Sequence, residues 1–177
     1  EIAKSAGRAL GVLISKFKAV GGMHYDVFNK LYDNLVQPIL SYGSAVWGTR
    51  EFSCINAIQN RACRFFLGVG RHTPNLAVRG EMGWISNFTK QRIESVRYWK
   101  RLQSSRPGSI INTVHKWSLS LHKSWDSKVA AFLVSLNLPF PDIFHISEMD
   151  FIYIKEKLWD MDHSNWYSQL FDDTGNT

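Results

Sequence analysis

The chain has 177 residues, enough for one domain or two small ones, and 45% of them are hydrophobic, which is ordinary for a globular protein. Its charge is uneven, because residues 1–106 carry sixteen Lys and Arg against six Asp and Glu, and residues 107–177 carry five against nine. It lacks the roughly 18-residue apolar run of a membrane span, the apolar stretch of a signal peptide and the cysteine content of a disulfide-stapled secreted domain. We therefore expect an intracellular protein that is neither secreted nor membrane-bound.

Helical periodicity dominates the first fifty residues. Residues 2–20 predict an amphipathic helix that ends at Gly21 and Gly22. A second helix is predicted over 25–36. Because Pro38 disfavours the α conformation of the residue before it, a new or kinked helix follows over 39–46. The basic residues of the first helix lie opposite its apolar stripe and are Lys4, Arg8, Lys16 and Lys18.

The clearest amphipathic pattern lies in residues 51–67. At about 100° per residue, one half of the wheel is apolar and the other polar. The interpretation places Cys54 in the core and Cys63 at its boundary, on opposite sides of the helix, so that they cannot form a disulfide. The predicted inner residues are Phe52, Cys54, Ile55, Ile58, Ala62, Phe65 and Phe66. The predicted outer residues include Asn56, Asn60, Arg61 and Arg64, and Arg71 follows the glycines that end the helix.

The remaining chain also predicts helices. Thr73 and Pro74 are typical of a helix start, so a short helix is expected to about residue 82, and a longer one over 87–104. The polar segment 104–109 is the best candidate linker because the charge changes sign there. The further predicted helices lie at 109–121, 126–137, 149–159 and 164–171. The predicted fold is therefore all-α, a helical bundle followed by further helices, with no substantial sheet.

The sequence offers no convincing catalytic or metal-binding constellation. The carboxylates of 171–173 (Phe-Asp-Asp) follow a helical rather than an alternating pattern, so an acidic chain end is the preferred interpretation. His115 and His122 lack the ligand spacing of a zinc site, and Asp160, Asp162 and His163 are expected in a solvated polar turn. Neither a Gly-x-Ser-x-Gly elbow nor a phosphate-binding Gly-x₄-Gly-Lys loop is present. We expect no small-molecule ligand.

Three segments carry a resemblance to a known family. They are LVQPILSYGSAVWG (35–48), IQNRACRFFLG (58–68) and GEMGW (80–84). Their order and spacing resemble the region after the catalytic palm in reverse transcriptases of non-LTR (LINE-type) retrotransposons, firmly to about Leu102 and loosely beyond. The chain also begins without Met inside a predicted helix, as expected for part of a longer protein. Tyr42 and Trp47 of the first segment are expected in the core, and 82–84 in a packing turn.

The resemblance implies a parent RNA-directed DNA polymerase of a transposable element that acts in the nucleus. Its Mg²⁺-binding aspartates would lie in a palm domain outside this sequence, so the chain itself is expected to be non-catalytic and to lack a cofactor. Residues 1–71 would form a thumb-like bundle, 72–106 connecting helices and 107–177 a C-terminal helical region. The implied partners are that palm and an RNA/DNA template–primer duplex, recognised by shape in its minor groove. The expected contacts are Lys4, Arg8, Lys16, Lys18, Asn56, Asn60, Arg61, Arg64 and Arg71.

Two alternatives stay open. Each basic residue is also compatible with an ordinary solvated helix face. The whole chain is likewise compatible with a helical protein–protein interaction module that does not bind nucleic acid, in which the unequal charges mark an interface with a protein.

Overall fold

The computed structural model describes residues 1–139 and 145–174, with side chains up to Gln169. Within these residues the fold is all-α and contains no strand, which confirms the predicted fold class. The chain forms two compact units. The first comprises Glu1–Tyr42, Phe52–Phe88 and Asp162–Thr177, and the second comprises Gly43–Glu51 and Thr89–Met161.

The helices follow one another in nearly the predicted order. In chain order they are α1 (Ile2–Ala19), α2 (Tyr25–Leu35), α3 (Gln37–Leu40), α4 (Ser44–Trp47), α5 (Ser53–Leu67), α6 (Asn75–Glu81), α7 (Asn87–Gln103), α8 (Ile110–Ser120), α9 (Trp125–Ser135) and α10 (Glu148–Thr174). Helices α8 and α9 begin as their sequences suggest, because the hydroxyls of Ser109 and Ser124 accept hydrogen bonds from backbone N–H groups of the first turn.

Two predicted helix boundaries are wrong. The helix expected over 39–46 is instead the pair α3 and α4, separated by a turn in which Gly43 has a φ of 66°. The helices expected over 149–159 and 164–171 are one continuous helix, α10. Asp162 therefore does not lie in a solvated turn. Its carboxylate accepts hydrogen bonds from the backbone N–H and the hydroxyl of Ser86, at 2.8 and 2.7 Å.

The core of the first unit is built from α1, α2 and α5. Helix α1 buries Ala6, Leu10 and Leu13 on its predicted apolar side. An aromatic cluster closes one end of this core, and Phe17 makes edge-to-face contacts in it, a geometry that the ring quadrupoles favour. Its ring centroids lie 4.8–6.3 Å apart between Phe17, Phe28, Phe65 and Phe66.

The buried face of α5 is rotated relative to the prediction. Cys54, expected in the core, is exposed, and Cys63, expected at the boundary, is buried. Asn60, expected on the outer face, is only 7% exposed. The rotation turns Gln59 inward, where it is 1% exposed and bonded to the backbone of residues 85 and 87. Tyr42, also expected in the core, is 77% exposed because it lies in the turn after α3.

The second unit has its own apolar core. Its largest fully buried side chain is Trp99 of α7, which packs in one cluster with Leu133 of α9 and Ile154 of α10. Beside this cluster the imidazole Nδ1 of His115 lies 2.6 Å from a carboxylate oxygen of Asp126, and both side chains are buried. His115 thus has a structural partner on α9, whereas His122 is exposed beyond the end of α8.

The boundaries of the two compact units differ from the division predicted at residues 71 and 106. The predicted linker does connect α7 to α8, but both sides of it belong to the second unit, since Trp99 and Leu133 share one core. The division of the parent protein into thumb, connecting helices and C-terminal region stays a prediction.

Candidate nucleic-acid interface

The candidate interface is built on the contact between α1 and α5. A Cβ atom on Gly7 would lie 3.5 Å from the Cδ1 of Ile58, so the two helices approach each other closely at this level. Further along, the rings of Phe17 and Phe65 are 5.1 Å apart. The Phe17–Phe65 contact lies closer to the C-terminal end of both helices than the Gly7–Ile58 contact does. Helices α1 and α5 therefore run side by side in the same direction.

Exposed cations flank this contact on both helices. Lys4 precedes Gly7 by three residues and Lys18 follows it by eleven, so at about 100° per residue both lie on the same side of α1 as Gly7, the side that borders α5. On α5, Arg61 lies one turn after Ile58. All three side chains are exposed. Between the two lysines, Gly11 leaves an open position, because a Cβ atom there would meet no atom within 4 Å. We call Lys4, Gly11, Lys18 and Arg61 the α1–α5 edge.

Three other predicted contacts are exposed but lie elsewhere. Arg8 and Lys16 project further round α1, away from the α1–α5 edge. Arg8 is also engaged locally, since it donates to the Ser5 hydroxyl at 2.9 Å and lies 3.9 Å from the Glu1 carboxylate. Arg71 follows α5 and its Nε donates to a ring nitrogen of His72 at 3.0 Å.

The last three predicted contacts lie on the partly buried side of α5. Arg64 donates to the backbone oxygen of Thr73 at 2.7 Å and to the side-chain oxygen of Asn75 at 2.6 Å. It therefore holds the segment that leads into α6, and a phosphate contact would disrupt these bonds. Asn60 is buried and Asn56 is half-buried. The structure thus brings together three of the seven predicted cations at the α1–α5 edge and separates the rest from it.

Two polar side chains of structural importance, buried Gln59 and half-buried Asp162, were not predicted as such from the sequence. The amide of Gln59 donates to Ile85 O at 2.8 Å and accepts from Asn87 N at 3.2 Å. Asp162 binds Ser86 between them. The segment 85–87 is thus held by polar groups from two helices. For Gln59 the sequence did contain a signal, because its wheel position lies in the apolar half of α5.

A small cavity lies beside this segment within the first unit. Its volume is about 170 Å³, and it is lined by Arg79, Gly80, Trp84, Asp162, His163 and Trp166, among others. The other side of Trp84 stacks on Tyr32, with ring centroids 4.3 Å apart. Burial raises the pKa of the Tyr32 hydroxyl further above its ordinary value.

Sites of other kinds receive no support from the described residues. Among the side chains that the structure describes, in residues 1–139 and 145–169, no three His, Cys, Asp or Glu gather as potential ligands of one metal ion. The same part of the chain contains no helix with the length and apolarity needed to cross a bilayer. The side chains of the Phe-Asp-Asp sequence at 171–173 lie outside the described residues.

Comparisons with known proteins add no further identification. No protein-family model, curated protein or solved structure matched this chain. The resemblance to LINE-type reverse transcriptases therefore rests on the sequence segments alone.

Proposed function

We propose that this chain is a non-catalytic, template–primer-binding part of a LINE-type reverse transcriptase, and that the α1–α5 edge contacts the RNA/DNA duplex. The supporting observation is the exposure of Lys4, Lys18 and Arg61 beside the uncovered backbone of Gly11. The palm of the parent polymerase would carry the Mg²⁺ ions and the chemistry.

The physical chemistry of the edge suits a polyanionic duplex. Lys18 lies fourteen positions after Lys4, about 21 Å along the helix at 1.5 Å per residue, so the two ammonium groups can reach phosphates several nucleotides apart. Such contacts are independent of base sequence. A glycine between them lets a sugar–phosphate backbone approach more closely than any side chain would. An A-form-like heteroduplex offers its wide, shallow minor groove to such a surface.

A salt titration tests the proposal. The full chain is titrated with a fluorescently labelled RNA/DNA duplex at several salt concentrations. Three neutralised phosphates predict a log–log slope of about −2 to −3, using roughly −0.9 per phosphate for B-form DNA. The triple variant Lys4→Gln, Lys18→Gln, Arg61→Gln should abolish most of this slope. Because all three side chains are exposed, stability should change by less than about 0.5 kcal/mol per site.

The chain supplies a matched control. The variant Arg8→Gln, Lys16→Gln, Arg71→Gln removes the same charge from exposed residues away from the α1–α5 edge. It should retain most of the slope. Equal losses in the two triple variants would mean that net charge, and not this edge, determines the affinity. Absence of binding at low salt would contradict the proposed function itself.

One observation favours the alternative, a protein–protein interaction module. Helix α8 exposes an apolar stripe at helical spacing, in which Ile110 is 82% and Trp117 is 64% exposed, and Val114 lies between them. Contiguous exposed apolar surface of this kind is typical of interaction sites. Under this alternative, heteroduplex binding is absent or insensitive to the edge substitutions, so the same titration separates the two functions.

A further inference from the structure

Helix α8 is apolar on its outer side as well as on the side that faces the core of the second unit. Leu119 packs against that core. The opposite side of the helix exposes four apolar residues, which are Ile110, Val114, Trp117 and, directly after the helix, Leu121. Their spacing of four, three and four residues places them on one stripe, which we call the α8 face. A surface helix needs only one apolar side, so the second side indicates a further contact.

Helix α10 has a second face of this kind. It buries Ile154 and Leu158 in the core of the second unit and exposes apolar and acidic side chains on the opposite side. At about 100° per residue these exposed side chains lie within an arc of about 120°. They are Met149, Ile152, Tyr153, Glu156, Trp159 and Asp160, which we call the α10 face. Lys155 lies at its edge, with its ammonium 5.6 Å from the ring centroid of Trp159. Met, Tyr and Trp are enriched in the cores of protein interfaces.

The two faces are associated with opposite charges. Residues 107–125, which contain α8, include the exposed Lys116 and Lys123 and no Asp, Glu or Arg. The α10 face contains the exposed carboxylates of Glu156 and Asp160. Two α8 faces would bring lysines together, and two α10 faces would bring carboxylates together. An α8 face packed against an α10 face pairs opposite charges instead, so the chain itself carries the surface that is complementary to α8.

We propose that the chain self-associates head to tail, with the α8 face of one copy packed against the α10 face of a second copy. Residues spaced alternately by three and four positions, as on α8, are those through which two helices pack side by side. Trp117 and Trp159 supply the large aromatic surfaces that dominate the energetics of such contacts. No residue of the α1–α5 edge takes part, so this inference goes beyond the proposed function and does not depend on it.

Sedimentation equilibrium of the full chain without nucleic acid tests the proposal. We expect the average mass to rise above that of one chain as the concentration increases. The α8 variant Ile110→Ser, Trp117→Ser and the α10 variant Met149→Ser, Ile152→Ser should each weaken self-association by at least about tenfold, because they remove exposed apolar contact residues. A wild-type chain that stays monomeric at every concentration would overturn the inference.

The matched control removes two apolar side chains of similar exposure from the second unit. Val46 and Val134 are 60% and 62% exposed and lie outside both faces. The variant Val46→Ser, Val134→Ser should therefore self-associate as the wild type does. An equal loss in this control would mean that general surface hydrophobicity, and not these two faces, causes the self-association.

Mixing the two face variants identifies which surfaces meet. The α8 variant keeps an intact α10 face, and the α10 variant keeps an intact α8 face. Neither should self-associate alone, whereas their mixture should form a one-to-one complex through the two intact faces. If α8 packed against α8, the α10 variant would self-associate alone. That result, or a mixture that stays monomeric, would overturn the inference.

Charge reversal keeps the test decisive if a serine variant does not fold. Lys116→Glu with Lys123→Glu should weaken self-association, and so should Glu156→Lys with Asp160→Lys. All four side chains are exposed, so the fold should tolerate these changes. A mixture of the two reversed chains should associate again, because every α8–α10 contact between them pairs opposite charges. No recovery in that mixture would contradict the proposed contact.

The outcomes separate this inference from the proposed function. Self-association without heteroduplex binding would contradict the proposed function alone. Heteroduplex binding by a chain that remains monomeric would contradict the α8–α10 contact alone.

Discussion

Replacement of Gln59 by Met should destabilise the protein strongly, although the two side chains are similar in size. Gln59 is 1% exposed, and its amide satisfies two backbone groups, Ile85 O and Asn87 N. Methionine leaves both of them without a partner in a buried environment, and each such loss costs about 1–3 kcal/mol. The gain from burying a thioether offsets part of this. We therefore expect a net loss of about 3 kcal/mol in the free energy of unfolding.

Thermal and urea unfolding, followed by far-ultraviolet circular dichroism, measure this effect. For a chain of this size, about 3 kcal/mol corresponds to a decrease in Tm of roughly 6–12 °C. The matched control is Gln169→Met, the same change at an exposed position of α10, which should alter stability by less than about 0.5 kcal/mol. A loss below that value for Gln59→Met would refute the reasoning that its two hydrogen bonds hold residues 85–87.

Two further predictions concern backbone packing and pH. Gly80→Ala should lower the free energy of unfolding in urea by about 1–3 kcal/mol, because the new Cβ would lie 2.1 Å from the ring of Trp166. Gly11→Ala has open space around the new Cβ and should raise the same free energy by up to about 1 kcal/mol. An equal effect at both sites would contradict this reasoning. Hydrogen bonds from Ser147 lower the pKa of Asp150, so its contribution to stability is present above the ordinary Asp pKa of about 4 and is lost as pH falls through the lowered value. The Tm difference between wild type and Asp150→Asn should accordingly shrink from pH 7 to below pH 4, and a constant difference would exclude this cap as its cause.

Most of the helices could be predicted from the sequence, because apolar spacing and capping residues act within a few positions of one another. The apolar spacing of α1 places Leu10 and Leu13 in the core as expected. The Ser147–Asp150 pair at the start of α10 is a reciprocal cap within four residues, with bonds of 2.9 and 3.1 Å. The three cations of the α1–α5 edge were among the residues predicted from helical wheels, although the wheels did not distinguish them from Arg8 or Arg64.

The errors arise where a polar side chain finds its partner far along the chain. Asn60 and Cys54 were assigned to the wrong faces of α5, because the wheel was read with polar residues outward and apolar residues inward. Gln59 is polar but faces inward, because it bonds to Ile85 and Asn87, which lie 26 and 28 positions later in the chain. Asp162 was assigned to a turn because polar residues surround it, and its partner Ser86 is 76 positions away. A pattern that spans a few residues gives no information about partners so far apart in the sequence.

The same long-range bonds connect the stability of the first unit to the cavity beside Gly80. Gln59 and Asp162 together fix the backbone of residues 85–87, which follows Trp84 directly. The indole of Trp84 is held on one side by the ring of Tyr32, so its position in the cavity wall depends on that backbone. A substitution at Gln59 should thus loosen the cavity before it unfolds the helices, whereas Lys4 and Lys18 of the α1–α5 edge lie on a different helix. Sensitivity of both surfaces to Gln59→Met at temperatures where the protein remains folded would show that they are not independent.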